Sequence, residues 1–161
     1  MAGKRKSEAA KELITLPPLS PADYQAALEA LILNNICIES LSARCDRSKI
    51  DQPNININVK TRAMAEQACD RYTVICGYLL EGKSEDAEAL SIEVAFRLEF
   101  GCTKLIPEGF FEIYKDTSLP VTTLPYLREI VASMTSRMNI PALTLPYTIF
   151  PPAIRSPAPP A

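Results

Sequence analysis

Ser91-Ile92-Glu93-Val94-Ala95-Phe96-Arg97-Leu98-Glu99-Phe100 is the stretch that decides the fold. Ile92, Val94, Phe96, Leu98 and Phe100 alternate with Ser91, Glu93, Ala95, Arg97 and Glu99. That period of two puts one set of side chains on an apolar face and the other toward water. Upstream, Tyr72, Val74, Cys76, Tyr78 and Leu80 alternate with Thr73, Ile75, Gly77 and Leu79, apolar on both faces and therefore a central strand. Ile55, Ile57 and Val59 alternate with Asn54, Asn56, Asn58 and Lys60, a strand with one wet face. Residues 36–45 give a weaker signal, with Ile36 and Ile38 on one parity and Cys37, Leu41, Ala43 and Cys45 on the other. Glu81 to Ala89 reads as an acidic turn between the last two strands. Consecutive strands joined by short polar turns make an antiparallel meander, and no helical pattern separates them as a doubly wound sheet requires.

Helices flank the strands. Ser20 is an N-cap, Pro21 sits at N1, Asp23 at N3, and Leu19 can staple to Tyr24. Tyr24, Ala27, Leu28, Leu31 and Ile32 then form one apolar stripe on a helix of about four turns, ended by Asn34-Asn35. Pro107 to Lys115 holds a short helix with Phe110, Phe111 and Tyr114. The second long helix begins near Thr123-Leu124-Pro125, with the proline in its first turn. Its stripe is Leu127, Ile130, Val131, Met134 and Met138; Asn139 takes a left-handed cap and Pro141 forbids continuation. The expected fold is α+β: a four-stranded antiparallel meander sheet packed with a long C-terminal helix, plus a short N-terminal helix. Residues 1–18 read as a flexible tail, 19–150 as the domain, and 151–161 as a Pro/Ala-rich tail.

Composition removes function classes. The 161 residues contain 14 prolines, 5 glycines, no tryptophan and no histidine. Without histidine there is no Ser-His-Asp triad, Cys-His dyad or histidine metal ligand. The scattered glycines form no phosphate loop. These absences argue for no metal, no cofactor and no catalytic residue, hence not an enzyme. The net charge of −2 supplies no basic field for nucleic acid or anionic lipid. Lys4, Arg5, Lys6 and Lys11 are not followed by the apolar run of a signal peptide, and no segment is apolar enough to span a bilayer. The reading is a cytoplasmic protein without membrane insertion. Its five cysteines (Cys37, Cys45, Cys69, Cys76, Cys102) show no Cys-x-x-Cys pair and read as reduced, small hydrophobes. A thiol-dependent or small-ligand enzyme is the rival reading, and it requires a cysteine of low pKa.

The second helix and its exit carry a recognisable pattern. Leu124-Pro125-Tyr126-Leu127-Arg128-Glu129-Ile130, Ser133-Met134-Thr135-Ser136-Arg137-Met138 and Ile140-Pro141-Ala142-Leu143-Thr144-Leu145-Pro146 resemble the SecB family of bacterial export chaperones. The shared elements are Pro-Tyr-x-Arg-Glu, a helix ending Ser/Thr-x-Arg, and a Pro-x-Leu-x-Leu exit. The resemblance spans residues 20–150. It implies an ATP-independent holdase that binds unfolded preproteins, keeps them competent for export and delivers them to SecA. It further implies a homotetramer built as a dimer of dimers.

On this chain the resemblance places client-groove candidates at Tyr78, Phe110, Phe111, Tyr114, Leu143 and Leu145. Subunit-interface candidates are Ile92, Val94, Phe96, Arg128 and Arg137, and Glu93 is the SecA-facing candidate. Ser40, Ser42 and Arg44 stand where the family's first strand carries acids, and Asn139 replaces a glycine. Those departures weaken SecA delivery. They leave open a chaperone devoted to an antitoxin in a toxin–antitoxin–chaperone system.

Overall fold

A computed structural model describes residues 19–50, 55–84 and 87–146. The expected tails at 1–18 and 151–161 lie outside the described residues. All four strands form, and they run longer than their clean alternation: β1 (Leu31–Cys45), β2 (Asn56–Ala68), β3 (Arg71–Ser84) and β4 (Ala87–Cys102). They make one antiparallel sheet in the order β1-β4-β3-β2. The meander is therefore β2-β3-β4, and β1 pairs with the outer side of β4. Cys69, with φ 53°, turns β2 into β3 through a two-residue connection. Much of the expected acidic turn is strand, because pairing continues to Ser84 opposite Ala87; Glu85 and Asp86 lie outside the described residues.

Two helix boundaries differ from the sequence reading. α1 (Pro21–Ala30) has the expected cap, in which the Asp23 N–H donates to Ser20 Oγ at 3.1 Å. It stops at Ala30, and Leu31 and Ile32 enter β1 opposite Cys102 and Gly101. Strand pairing overrides the helical period there, and Asn34-Asn35 lies within β1 rather than at a helix end. A short helix not read from the sequence, α2 (Arg47–Ile50), follows β1 and opens the connection from one sheet edge to the other.

After β4 come the expected short helix, α3 (Phe110–Tyr114), and then α4 (Ser118–Arg137). α4 begins before the expected Thr123, so Pro125 is inside the helix and not in its first turn. Pro125 is exposed, so the hydrogen bond it cannot make to the Val121 carbonyl is lost on the wet side. At the C-terminus the expected cap forms. Asn139 has φ 57°, its N–H donates to the Ser136 carbonyl at 2.9 Å, and the Ile140 N–H donates to Thr135 at 3.2 Å. Arg47 adds a cation at that end by donating from Nη2 to the Met138 carbonyl at 2.7 Å.

The core lies between α4, α3 and one face of the sheet. Leu119, Leu124, Leu127, Ile130 and Val131 of α4 are buried with Val74, Tyr78 and Leu80 of β3 and Ile92, Val94, Phe96 and Leu98 of β4. Among the described residues, the apolar core has no counterpart on the opposite face of the sheet.

Candidate apolar binding surface

The helix-side face of the sheet is buried unevenly. On β4, Val94, Phe96 and Phe100 are 0%, 2% and 7% exposed. Their partners one strand outward, Leu41, Ile38 and Leu33, are 39%, 48% and 43% exposed. Burial therefore falls off from β4 to β1 at these three positions, while Leu31, Ile36, Ala43 and Cys45 stay partly buried against the core. The apolar content of β1 is concentrated by two register shifts, between Leu33 and Asn35 and between Ile38 and Ser40. Each inserts one residue and resets the strand's parity. Leu31, Leu33, Ile36, Ile38, Leu41, Ala43 and Cys45 consequently all pair with helix-side residues of β4. The sequence placed Ile36 and Ile38 on one face and Leu41, Ala43 and Cys45 on the other; the second shift unites them.

α4 borders this surface. Tyr126 is half-exposed, and its ring centroid stands 6.4 Å from that of Phe96, the residue paired with Ile38. The helix is pinned to the sheet by a buried polar chain: Thr123 Oγ1 donates to the Leu119 carbonyl at 2.9 Å, and the Tyr78 hydroxyl lies 2.5 Å from Thr123 Oγ1. Because the Thr123 proton is committed to Leu119, the Tyr78 hydroxyl is the donor. Burial pushes the Tyr78 phenol well above its ordinary value, so it stays neutral.

A second apolar cluster lies under α1. Tyr24 stacks on Phe110 with centroids 5.2 Å apart, Phe110 stacks on Tyr114 at 5.3 Å, and Tyr72 meets Phe110 edge-on at 6.1 Å. Burial pushes the phenols of Tyr72 and Tyr114 up to about 12. Of the groove candidates, Tyr78, Phe110, Tyr114 and Leu145 are thus buried within the chain, while Phe111 and Leu143 are half-buried at its surface. The exit segment folds back on α4, with the Leu143 N–H donating to Thr135 Oγ1 at 3.0 Å. Among the interface candidates, Ile92, Val94 and Phe96 are buried beneath α4, Arg128 is half-buried and Arg137 exposed.

The sheet face opposite the core is occupied by its own charges. Lys60 meets Glu81 at 2.5 Å, and Arg62 meets Glu93 at 2.8 Å. Both Nε and Nη2 of Arg97 donate to Glu39, Nη2 at 2.7 Å. The Arg97 hydrogen bond holds the Glu39 carboxyl below its usual range, and Lys60 does the same for Glu81. Glu93, the SecA-facing candidate, is on this face and ion-paired.

Burial raises the thiol pKa of Cys76 and Cys102, the direction away from a reactive thiolate. Among the described residues no group of three or more Cys, Asp or Glu is placed to hold a metal ion. Nor is any helix there long and apolar enough to cross a membrane. What the site offers is apolar area beside a long strand edge, the chemistry that takes an extended polypeptide through main-chain bonds and side-chain contacts. The sequence missed the β1 surface because its signal was split by the bulges.

The architecture has a counterpart among solved structures. The SecB-like chaperone Rv1957 of Mycobacterium tuberculosis, solved in complex with a ChAD peptide from the Rv1956 HigA1 antitoxin, superposes with a TM-score of 0.67 at 17% identity. The match covers 78% of this chain and 99% of that one. The chain has a SecB-like fold. A protein of unknown function from Streptococcus agalactiae is also similar, with a TM-score of 0.43, 14% identity, and coverage of 73% of this chain and 97% of that one. No family model and no curated protein matches the sequence. In the SecB-like fold of this chain, α1 precedes β1 without an intervening loop, and β1 supplies the exposed apolar edge.

Proposed function

We propose that this chain is an ATP-independent SecB-like chaperone that holds an unfolded polypeptide segment. The observation that carries the reading is the apolar face of β1 beside Tyr126, where Leu33, Ile38 and Leu41 stand exposed on the helix side of an edge that no other described strand pairs. A monomer rarely leaves such a face uncovered without a partner for it. Binding of this kind requires no proton-transfer group, which accords with the absence of histidine.

Service to a dedicated antitoxin-like segment is favoured over general export. The SecB-like relative of M. tuberculosis was solved with an antitoxin peptide. On the charged sheet face of this chain, Glu39, Glu81 and Glu93 are each engaged by a base, which weakens it as an acidic dock for SecA. A homotetramer in the cytoplasm remains part of the proposal. Since Ile92, Val94 and Phe96 are used inside the protomer, half-buried Arg128 and exposed Arg137 are the interface candidates carried into this proposal.

The test is suppression of aggregation of a denatured client without nucleotide. The purified chain is expected to suppress it near stoichiometry, with light scattering reporting about 71 kDa for four 17.7 kDa chains. An unchanged aggregation rate would remove the holdase reading. A candidate antitoxin tail that binds no better than a scrambled sequence would return the balance to export.

A further inference from the structure

α1 lies over the aromatic cluster on slender attachments. Of its ten residues only Ala27 and Ala30 are fully buried, and Tyr24 supplies its aromatic contact. The Tyr24 hydroxyl lies 2.9 Å from both Thr117 Oγ1 and Ser118 Oγ, at the start of α4. The other end is fixed, because the Ala30 carbonyl accepts the Thr103 N–H at 3.2 Å and the chain passes straight into β1. Leu28 and Leu19 add partly buried contacts against the core, so the helix is a lever hinged at Ala30, seated by Ala27 and Leu28 and latched at its far end by Tyr24. A ten-residue helix is not stable by itself in water, so its order depends on the docking.

Beneath the latch are Phe110, Tyr114, Tyr72 and Phe100, each below 8% exposure and in mutual ring contact. We propose that α1 is a cis-bound lid on a second, cryptic client site, displaced by a client segment that presents an aromatic residue followed by small side chains. The lid states the chemistry of its competitor: an aromatic ring stacked on Phe110, a hydroxyl reaching Thr117 and Ser118, then alanines at the third and sixth positions beyond. A site closed most of the time binds more weakly in proportion to its open fraction, so the lid sets a threshold that only a well-matched segment crosses. This inference rests on the chaperone reading, whose primary surface is the β1 face.

Two measurements test it. In the first, a fluorescently labelled peptide of residues 19–31 is titrated against the full chain. Tyr24→Ala is expected to bind it roughly tenfold more tightly than the wild type, the ratio for a lid closed nine-tenths of the time. Tyr24→Phe, which keeps the stack and loses the hydroxyl contacts, is expected to fall between them and serves if Tyr24→Ala does not fold. Equal affinity for wild type and both folded variants overturns the lid. In the second, hydrogen exchange of the wild type is followed with and without a saturating unfolded client peptide that carries the matched spacing Tyr-x-x-Ala-x-x-Ala. Faster exchange in residues 23–30, with β3 and β4 unchanged, supports displacement; slower or equal exchange with the client bound overturns it. Failure of the client to bind at all counts against the chaperone reading, and the peptide titration then decides the lid separately.

Discussion

Arg62 reaches Glu93 by crossing the strand that lies between them. Arg62 is on β2, Glu93 on β4, and the guanidinium passes over Gly77 of β3 to an Oε1 contact of 2.8 Å. A methyl at position 77 would stand 2.9 Å from Arg62 Nε and 3.1 Å from its Cγ. Gly77→Ala is therefore expected to push the flexible arginine aside and break the pair while leaving the backbone intact. Exposed pairs of this kind contribute about 0–1 kcal/mol, so the urea midpoint is expected to move little. The diagnostic is coupling: in a Gly77→Ala, Arg62→Ala cycle the two changes should not add, and simple additivity would show that the glycine does not serve the arginine.

Tyr78 and Thr123 are unequal partners. Tyr78→Phe removes a donor and leaves Thr123 bonded to Leu119, at a cost of about 1 kcal/mol. Thr123→Val removes the phenol's oxygen partner, leaves it only the weaker Cys76 thiol and is expected to cost about 1–3 kcal/mol. Equilibrium urea unfolding ranks the two variants, and the reverse order would reassign the donor.

Acid should loosen the seam between β1 and β4. The Arg97 hydrogen bond holds Glu39 below its ordinary value of 4.5. A carboxyl depressed in the folded state contributes fully above its unfolded value, and that contribution is lost as pH falls through the lower folded value. Stability is therefore expected to decline from about pH 4.5 downward, with Glu81 adding to the same limb. Arg97→Ala should flatten that limb relative to wild type in urea midpoints measured between about pH 6 and pH 3. Parallel curves would exclude the pair as a source of the acid dependence.

Ile38 and Leu41 are expected to matter for binding more than for folding. Replacing both with threonine keeps β-branching or strand propensity while removing exposed apolar area. The unfolding free energy should change by less than about 1 kcal/mol, as is usual for surface substitutions. Client affinity should fall roughly tenfold, corresponding to about 1.4 kcal/mol. A double variant that unfolds normally and still holds its client would move the binding site off β1.

Most of the fold was legible because its signals are local. The alternation in 72–80 and 91–100 fixed two central strands, Ser20-Pro21 fixed a helix start, and Asn139 a helix stop. Errors arose where pairing partners far along the chain decide. Leu31 and Ile32 carry a helical spacing, yet Cys102 and Gly101 draw them into a strand. Pro125 resembles a helix start, yet Leu119 and Pro120 are buried one turn and more before it and extend α4 backward. The candidate site was less legible still. Aromatic content pointed to Phe110 and Tyr114, which are covered by Tyr24, whereas the exposed face of β1 was hidden by bulges that no period of two can express.

Those two bulges also govern what β1 can accept. The unbroken runs along its 15 residues are Leu31–Leu33, Asn35–Ile38 and Ser40–Cys45. A straight strand laid against this edge keeps step for one run and then falls out of phase, so long uniform ladders of the kind that seed fibres find no continuous template. Short segments with their own irregularity fit; repetitive ones do not. Spacing, as much as apolarity, decides what this edge holds, and a single-residue insertion or deletion near Glu39 would rewrite that choice more thoroughly than any substitution on its surface.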